Sequence, residues 1–389
     1  MESTLPLMLR TRAKESPDII IQYYKESGGN FRPKNYRQFY QEVCCTAAGL
    51  MELGVRRGDR VGLIADNRHE WMITDFGILA LGAADVPRGC DSTVQELTYI
   101  LGFTGCAMAF VENQKQVKKI LACRAELPAL QILITFDPVD AATEAAAAAA
   151  GLETYYFASV IALGQKREAI NPGAVEAEMD KGGAEDTATI IFTSGTTGEP
   201  KGVTLCHRNF LCQLSAFDLI FEMKPGDIWL SVLPVWHVYE RLIEYVIFYN
   251  RDTIAYSKPI SSVLMADFQA IRPHWMVSVP RVWEAIMEAI YRNVKSMGGL
   301  CKKALWCGGF PGNDVYPLQG FDLRPGAQLP RTHPPAGHGD RVFPLAVAAA
   351  RPGPGAAFGV QPDQAPAGGP FPRRHFRRRQ SAGASGSLF

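Results

Sequence analysis

The chain has 389 residues, 47% of them apolar, and its 40 lysines and arginines nearly balance its 39 aspartates and glutamates. This length and composition predict two or more sub-domains with a sizeable buried core. The near-zero net charge argues against a nucleic-acid partner, so any charged ligand must be held by a local site.

The nine cysteines are an odd number without a C-x-x-C pair, and the first residues show no basic-then-apolar signal pattern. These features predict reduced thiols in a cytoplasmic protein. The longest apolar region, 229–249, is interrupted by charged or histidine side chains, whereas a membrane-spanning helix needs roughly 20 mostly apolar residues. We therefore expect no membrane crossing, and a peripheral membrane contact stays open.

From Tyr36 onward, helix-like and strand-like segments alternate along the chain. An amphipathic segment ends at Gly54, and Thr93-x-x-Glu96 is the capping pattern of a helix N-terminus. Because parallel strands need helical crossovers, the alternation predicts layered α/β sub-domains with largely parallel sheets. Strands are expected at 60–65, 106–111, 131–136, 187–192, 228–233 and 275–279, and helices at 71–81, 239–248, 262–271 and 282–294, besides the two already described.

Two regions depart from this pattern. Segment 138–184 contains an alanine run and little periodic apolar content, and is interpreted as a surface excursion between sub-domains. After Phe310 the chain carries 13 of its 26 prolines and has no lysine, glutamate or isoleucine. We expect a domain over 1–307 and a tail over 308–389 that is disordered or, as we favour, read out of frame from a GC-rich gene.

A loop rich in small residues follows the strand at 187–192 and carries the chemistry. It runs Thr193-Ser-Gly-Thr-Thr-Gly198 and continues as Glu199-Pro-Lys-Gly202. Small residues let backbone amides and hydroxyls converge on a phosphate chain, and Lys201 adds a positive charge. The loop is not a Walker A sequence, because Pro200 precedes its lysine. It predicts a phosphate-binding site.

The loop resembles the signature of the AMP-forming adenylating superfamily, which includes acyl-CoA synthetases, firefly luciferase and peptide-synthetase adenylation domains. Within that superfamily, Leu233-Pro-Val-Trp-His237 with Glu240-Arg241 is most similar to the long-chain fatty-acid CoA ligases, as are segments 254–259 and 279–284. The resemblance covers residues 5–306. It implies an incomplete N-terminal domain of the adenylating-enzyme fold.

The resemblance also implies a reaction and its cofactors. A fatty carboxylate attacks the α-phosphate of Mg²⁺-bound ATP, and coenzyme A then captures the acyl-adenylate. Thr193 is expected to help coordinate Mg²⁺, and His237 to lie near the acyl carboxylate, so that His237 and Lys201 are the expected catalytic residues. The residues expected around the ATP phosphates are Thr193, Ser194, Gly195, Thr196, Thr197, Gly198 and Lys201.

Later family motifs do not follow Cys307: there is no Tyr-Gly-x-Thr-Glu segment, no later Thr-Gly-Asp, and no small domain with a catalytic lysine. We therefore expect impaired adenylation. Two alternatives stay open. One is an adenylating enzyme for another carboxylic acid, and the other is a non-catalytic nucleotide-binding remnant.

Overall fold

A computed structural model describes residues 2–25, 29–193, 200–217 and 221–296. These residues form two β-sheets covered by helices. The strands are β1 (Ile20–Lys25), β2 (Phe31–Asn35), β3 (Arg60–Ile64), β4 (Ala84–Arg88), β5 (Met108–Val111), β6 (Ile132–Thr135), β7 (Glu153–Tyr156), β8 (Thr187–Thr193), β9 (Lys201–Cys206), β10 (Ile228–Ser231), β11 (Thr253–Tyr256) and β12 (Trp275–Met276).

The helices begin before the first strand and alternate with the strands through most of the chain. They are α1 (Leu5–Glu15), α2 (Tyr36–Glu52), α3 (His69–Ala80), α4 (Val94–Thr104), α5 (Gln114–Ala122), α6 (Ala141–Ala149), α7 (Phe157–Ile170), α8 (Ala174–Met179), α9 (His207–Phe217), α10 (Val238–Asn250), α11 (Ser261–Ile271) and α12 (Pro280–Ser296), with a short 3₁₀ turn at Arg124–Glu126.

The larger sheet has the strand order β7-β6-β5-β3-β4-β8-β9, and only β9 runs antiparallel to its neighbour. The smaller sheet has the order β12-β10-β11-β1-β2, and only the β1–β2 pair is antiparallel. The predicted α/β fold with largely parallel sheets is confirmed. The sequence of β5 is continuously apolar because both faces of the strand are buried. Met108 and Phe110 join the core shared with the smaller sheet, while Ala109 and Val111 pack on the opposite face.

The capping signal at the start of α4 forms as the sequence predicts. The Thr93 hydroxyl accepts from the Glu96 amide at 3.2 Å, and the Glu96 carboxylate accepts from the Thr93 amide at 2.8 Å. The same reciprocal pair, Asn35 with Gln38, opens α2. Capping is local chemistry between residues three apart, which is why sequence alone identifies it.

Segment 138–184 differs from the expected surface excursion. Its alanine run forms α6, β7 pairs with β6 as the edge strand, and α7 packs along α2. Gly164 of α7 approaches α2 so closely that a Cβ atom there would lie 1.7 Å from the carbonyl oxygen of Cys45. Helices that meet through small residues leave no periodic apolar pattern, so this packing is not evident from the sequence.

The region beyond residue 296 lies outside the described residues, so the domain limit at 307 and the character of the tail stay predictions. Among the residues that the structure does describe, no helix combines the length and apolar character that crossing a bilayer requires. The seven cysteines in these ranges are all free thiols.

Candidate active site

The predicted phosphate loop lies at the end of the antiparallel pair β8–β9. Thr193 is the last residue of β8 and stands opposite Lys201, the first residue of β9. Both residues are exposed. The residues between them that were assigned to the phosphates, Ser194, Gly195, Thr196, Thr197 and Gly198, lie outside the described residues, and their roles stay predictions.

A cavity of about 630 Å³ opens beside this loop. Thr193 and Pro200 form one wall, and His237 at the start of α10 forms another. The cavity therefore brings together two predicted site residues that are 44 positions apart in sequence. Lys201 is one residue beyond Pro200 and is not itself part of the lining. The remaining lining residues come from β4, α4, β8 and the start of α10, and are Arg88, Gln95, Glu96, Tyr99, Ile191, Phe192, Trp236 and Val238.

His237 caps the N-terminus of α10 with its ring. Its Nδ1 accepts from the amide of Tyr239 at 3.3 Å, and its own amide donates to the carbonyl of Pro234 at 3.0 Å. With Nδ1 acting as acceptor, the neutral imidazole carries its proton on Nε2. The exposed ring can then donate a hydrogen bond from Nε2 to a carboxylate or phosphate oxygen in the cavity.

Asn67, which sequence reasoning missed, holds the loop that leads to His237. Its Nδ2 donates to the Ser231 hydroxyl at 2.9 Å and to the Leu233 carbonyl at 2.6 Å. Its Oδ1 accepts from the Val235 amide at 3.0 Å. Its position in the sequence is the one signal that could have identified it. Asn67 follows the end of β3 by three residues, and ligands usually bind at the edge of the sheet where parallel strands end.

Arg88 supplies a positive charge to the cavity wall. Its guanidinium pairs with Glu96 at 2.8 Å, donates to Ser92 at 3.1 Å, and lies 5.5 Å from the ring centroid of Trp236. The hydrogen bond from the Thr93 amide is the main factor that lowers the pKa of Glu96, so this carboxylate stays ionised beside Arg88. An anionic ligand entering the cavity therefore meets an oriented guanidinium whose charge the Glu96 carboxylate partly offsets.

Gly89 allows Trp236 to form its part of the wall. A Cβ atom at Gly89 would lie 2.3 Å from the indole Nε1 of Trp236 and 2.6 Å from a carboxylate oxygen of Asp91. We predict that Gly89→Ala displaces Trp236 and lowers the cavity's affinity for its ligand roughly tenfold, a 1.4 kcal/mol effect. Intrinsic tryptophan fluorescence and ligand titration measure the two consequences.

Gly183→Ala is the matched control, because its added Cβ meets only ordinary contacts, the nearest at 3.6 Å. Unchanged fluorescence and affinity in Gly89→Ala, equal to those of the control, would show that the tryptophan does not depend on this glycine.

Thr193 and Pro200 face His237 across a cavity in an α/β fold, a setting that suits an enzyme which binds a nucleotide phosphate. Residues 9–316 match the AMP-binding enzyme family, and the chain belongs to that family.

The names of two curated relatives specify long-chain fatty acids as their substrates. The chain is 33% identical over 268 residues to a chloroplastic long-chain-fatty-acid–[acyl-carrier-protein] ligase of Arabidopsis thaliana, covering 67% of this chain and 36% of the relative. It is 27% identical over 307 residues to the long-chain-fatty-acid–CoA ligase FadD15 of Mycobacterium tuberculosis, covering 75% of this chain and 46% of that protein. The chain thus spans less than half the length of these relatives.

Solved structures show the same fold. The N-terminal domain of FACL13 from Mycobacterium tuberculosis superposes with a TM-score of 0.60 at 22% identity, covering 74% of this chain and 65% of that one. The adenylation domain of a carboxylate reductase from Mycobacterium chelonae gives a TM-score of 0.63 at 20% identity, covering 78% and 51%. The predicted resemblance to N-terminal domains of adenylating enzymes is confirmed.

Proposed function

We propose that the chain belongs to a long-chain fatty acid–CoA ligase that uses ATP to convert a fatty carboxylate into an acyl-adenylate and then into an acyl-CoA. The observation that carries this proposal is the shared cavity of Thr193 and His237. Thr193, the first residue of the predicted phosphate loop, and His237, whose ring can donate a hydrogen bond from Nε2, both line it. A reaction that joins a carboxylate to a nucleotide phosphate needs both groups in one place.

In this proposal the chain's residues position and neutralise charge. Lys201, Arg88 and the loop amides would face the anionic phosphates, and His237 Nε2 would donate to the carboxylate oxygen on which charge changes during attack. The Thr193 hydroxyl suits Mg²⁺, which prefers oxygen ligands and is commonly bound together with substrate phosphates. When bound, the ion would offset phosphate charge.

The apolar part of the cavity suits the acyl chain. Ile191, Phe192, Tyr99 and Trp236 line it, and contact with such side chains removes a hydrocarbon tail from water at roughly 25 cal/mol per Å². We place the protein in the cytoplasm as part of this proposal. A peripheral membrane contact fits the substrate, since a fatty acid partitions into membranes.

We further propose that these residues alone support weak adenylation. The matched segments span 36% and 46% of the two relatives, and the glutamate, aspartate and lysine motifs expected of the family do not occur after Cys307. Without those groups, the α-phosphate lacks charge partners and the nucleoside lacks its clamp, which lowers transition-state stabilisation.

ATP–pyrophosphate exchange tests this function with palmitate, octanoate and benzoate as acids and full-length FadD15 as the reference. We expect exchange that depends on palmitate at a rate at least about 100-fold below the reference, equivalent to about 2.7 kcal/mol. A rate equal to the reference would refute the impairment. Exchange with benzoate alone would indicate another acid class, and ATP binding without any exchange would indicate a nucleotide-binding remnant.

The thiol acceptor needs its own assay, because the two relatives described above are named for different acceptors. Supplying synthetic palmitoyl-adenylate with either coenzyme A or acyl-carrier protein separates the two. We expect a thioester with coenzyme A. Thioester formation with the carrier protein only would contradict the coenzyme A assignment while leaving the adenylation proposal intact.

A further inference from the structure

Arg241 lies one turn into α10 and is completely buried. Each of its five N–H groups has an acceptor. Nε donates to the Tyr245 hydroxyl at 2.9 Å, and Nη1 donates to Asp85 at 2.9 Å and to the Thr189 hydroxyl at 2.8 Å. Nη2 donates to the other oxygen of Asp85 at 2.9 Å and to Asp75.

The acceptors of Arg241 belong to separate elements of the fold. Asp85 lies in β4, Thr189 in β8 and Asp75 in α3. Tyr245, on the next turn of α10, also donates to Asp75 at 2.7 Å. One guanidinium therefore joins α3 and two strands of the larger sheet to α10. Its central carbon lies 5.3 Å from the ring centroid of Trp71 and 5.9 Å from that of Phe210.

Three of the joined elements also form the walls of the cavity. Strand β4 ends at Arg88, three residues after Asp85. Strand β8 ends at Thr193, four residues after Thr189. Helix α10 begins directly after His237, and His237 lies four residues before Arg241. Asp85, Thr189 and Arg241 thus each lie three or four residues from a side chain that lines the cavity.

We propose that Arg241 is a positioning residue, which sets the spacing between His237, Thr193 and Arg88 across the cavity. The inference rests on the proposed function for its consequence, but its geometric part stands on its own. A bidentate, fully satisfied guanidinium restrains direction as well as distance. Buried ion networks contribute little net stability compared with apolar packing, which makes precise placement the better account of this one.

Thr189→Val is the decisive variant, because valine keeps nearly the shape of threonine and removes its hydroxyl. That hydroxyl accepts from Arg241 Nη1 at 2.8 Å, and its only other hydrogen bond among the described residues is the longer one that it donates to the Asp85 carbonyl at 3.4 Å. Arg241→Lys is the second, since the three N–H groups of an ammonium cannot serve the five hydrogen bonds that the guanidinium makes to two carboxylates and two hydroxyls. Thr204→Val, at an exposed position of the neighbouring strand β9, is the matched control. Amide hydrogen exchange follows segments 188–193 and 235–241, with α5 as a remote reference, and calorimetry measures Mg-ATP binding.

For Thr189→Val we expect at least tenfold faster exchange in both wall segments, unchanged exchange in α5, and a fivefold or greater rise in the Mg-ATP Kd. The control should match the wild type. Amide exchange rates in segments 188–193 and 235–241 within twofold of wild type would overturn the positioning role. An equal rise of the exchange rates in α5 would overturn it as well. If Arg241→Lys fails to fold, the threonine variant decides. Wild-type chain that binds no Mg-ATP would contradict the proposed function, while hydrogen exchange would still decide the role of Arg241.

Discussion

Replacing Gly164 by alanine is expected to destabilise the chain by about 3 kcal/mol or more, the upper range for overpacking a core. The added Cβ would lie 1.7 Å from the Cys45 carbonyl oxygen and 2.8 Å from the Gly49 amide nitrogen, both backbone atoms of α2. Gly49 faces the partner helix in the same way, with a Cβ position 2.2 Å from the carbonyl oxygen of Val160. Neither helix has a flexible side chain there that could yield, so α2 and α7 must separate.

Urea unfolding monitored by circular dichroism measures this loss. Gly102→Ala is the control, because Gly102 also lies in a helix, α4, and its added Cβ meets nothing closer than 3.7 Å. Alanine there should stabilise the chain by up to about 1 kcal/mol through helix propensity. An unfolding free energy for Gly164→Ala within 1 kcal/mol of wild type would mean that α7 does not pack on α2 as described.

A pair of buried carboxyl groups on α10 is expected to make stability depend strongly on pH. Glu240 and Glu244 are 2% and 0% exposed. The Ser231 hydroxyl donates to Glu244 at 3.2 Å, whereas Oε2 of Glu240 has no hydrogen-bond partner among the described residues. Burial raises the pKa of Glu240 to about 8. Burial, and next the charge of Glu240, raise the pKa of Glu244 well above its usual range.

The raised pKa values of Glu240 and Glu244 make the folded chain less stable as the pH rises. Because both carboxyl groups hold protons more tightly in the folded chain, the folded state binds more protons than the unfolded state between about pH 4.5 and 8. Their contribution to stability is complete below about pH 4.5 and is lost as the pH rises toward and through 8. The loss should be on the order of a few kcal/mol, since one pKa unit corresponds to about 1.4 kcal/mol.

Glu240→Gln removes one titrating group and keeps its shape, so its stability should fall less steeply than that of wild type between pH 5 and 8. Thermal unfolding across this range gives the two profiles. Asp75, whose pKa burial raises to about 7, adds a slope of the same sign to both, and the difference profile removes it. Glu185→Gln, at an exposed position, serves as control. Parallel profiles for wild type and Glu240→Gln would contradict the assignment.

Features built from neighbouring residues were predictable from sequence. The capping pair at Thr93, the apolar strands of the larger sheet and the loop beginning at Thr193 each express a rule that acts over a few positions. Strand β4 was not predicted, because Pro87 lacks a backbone donor and normally argues against a central strand. Only one residue pair, Asp85 with Thr189, registers between β4 and β8, so the sheet tolerates the proline.

Features assembled from distant residues were not predictable. Nothing near Asn67 in the sequence indicates that it holds the loop before His237, and nothing near Arg241 indicates carboxylates more than 150 positions away. Sequence reasoning found the chemistry of His237 and Thr193 through the family resemblance. Their meeting in one cavity depends on the order of strands in the sheet, which sequence periodicity does not specify.

A crystal structure of the chain with a non-hydrolysable palmitoyl-adenylate analogue would test the central claim most directly. We predict that the group replacing the phosphate lies beside Thr193 and Lys201, that the acyl carbonyl oxygen lies within hydrogen-bond reach of His237 Nε2, and that the acyl chain passes Phe192 and Tyr99. An analogue bound outside the cavity of Thr193 and His237 would contradict the account.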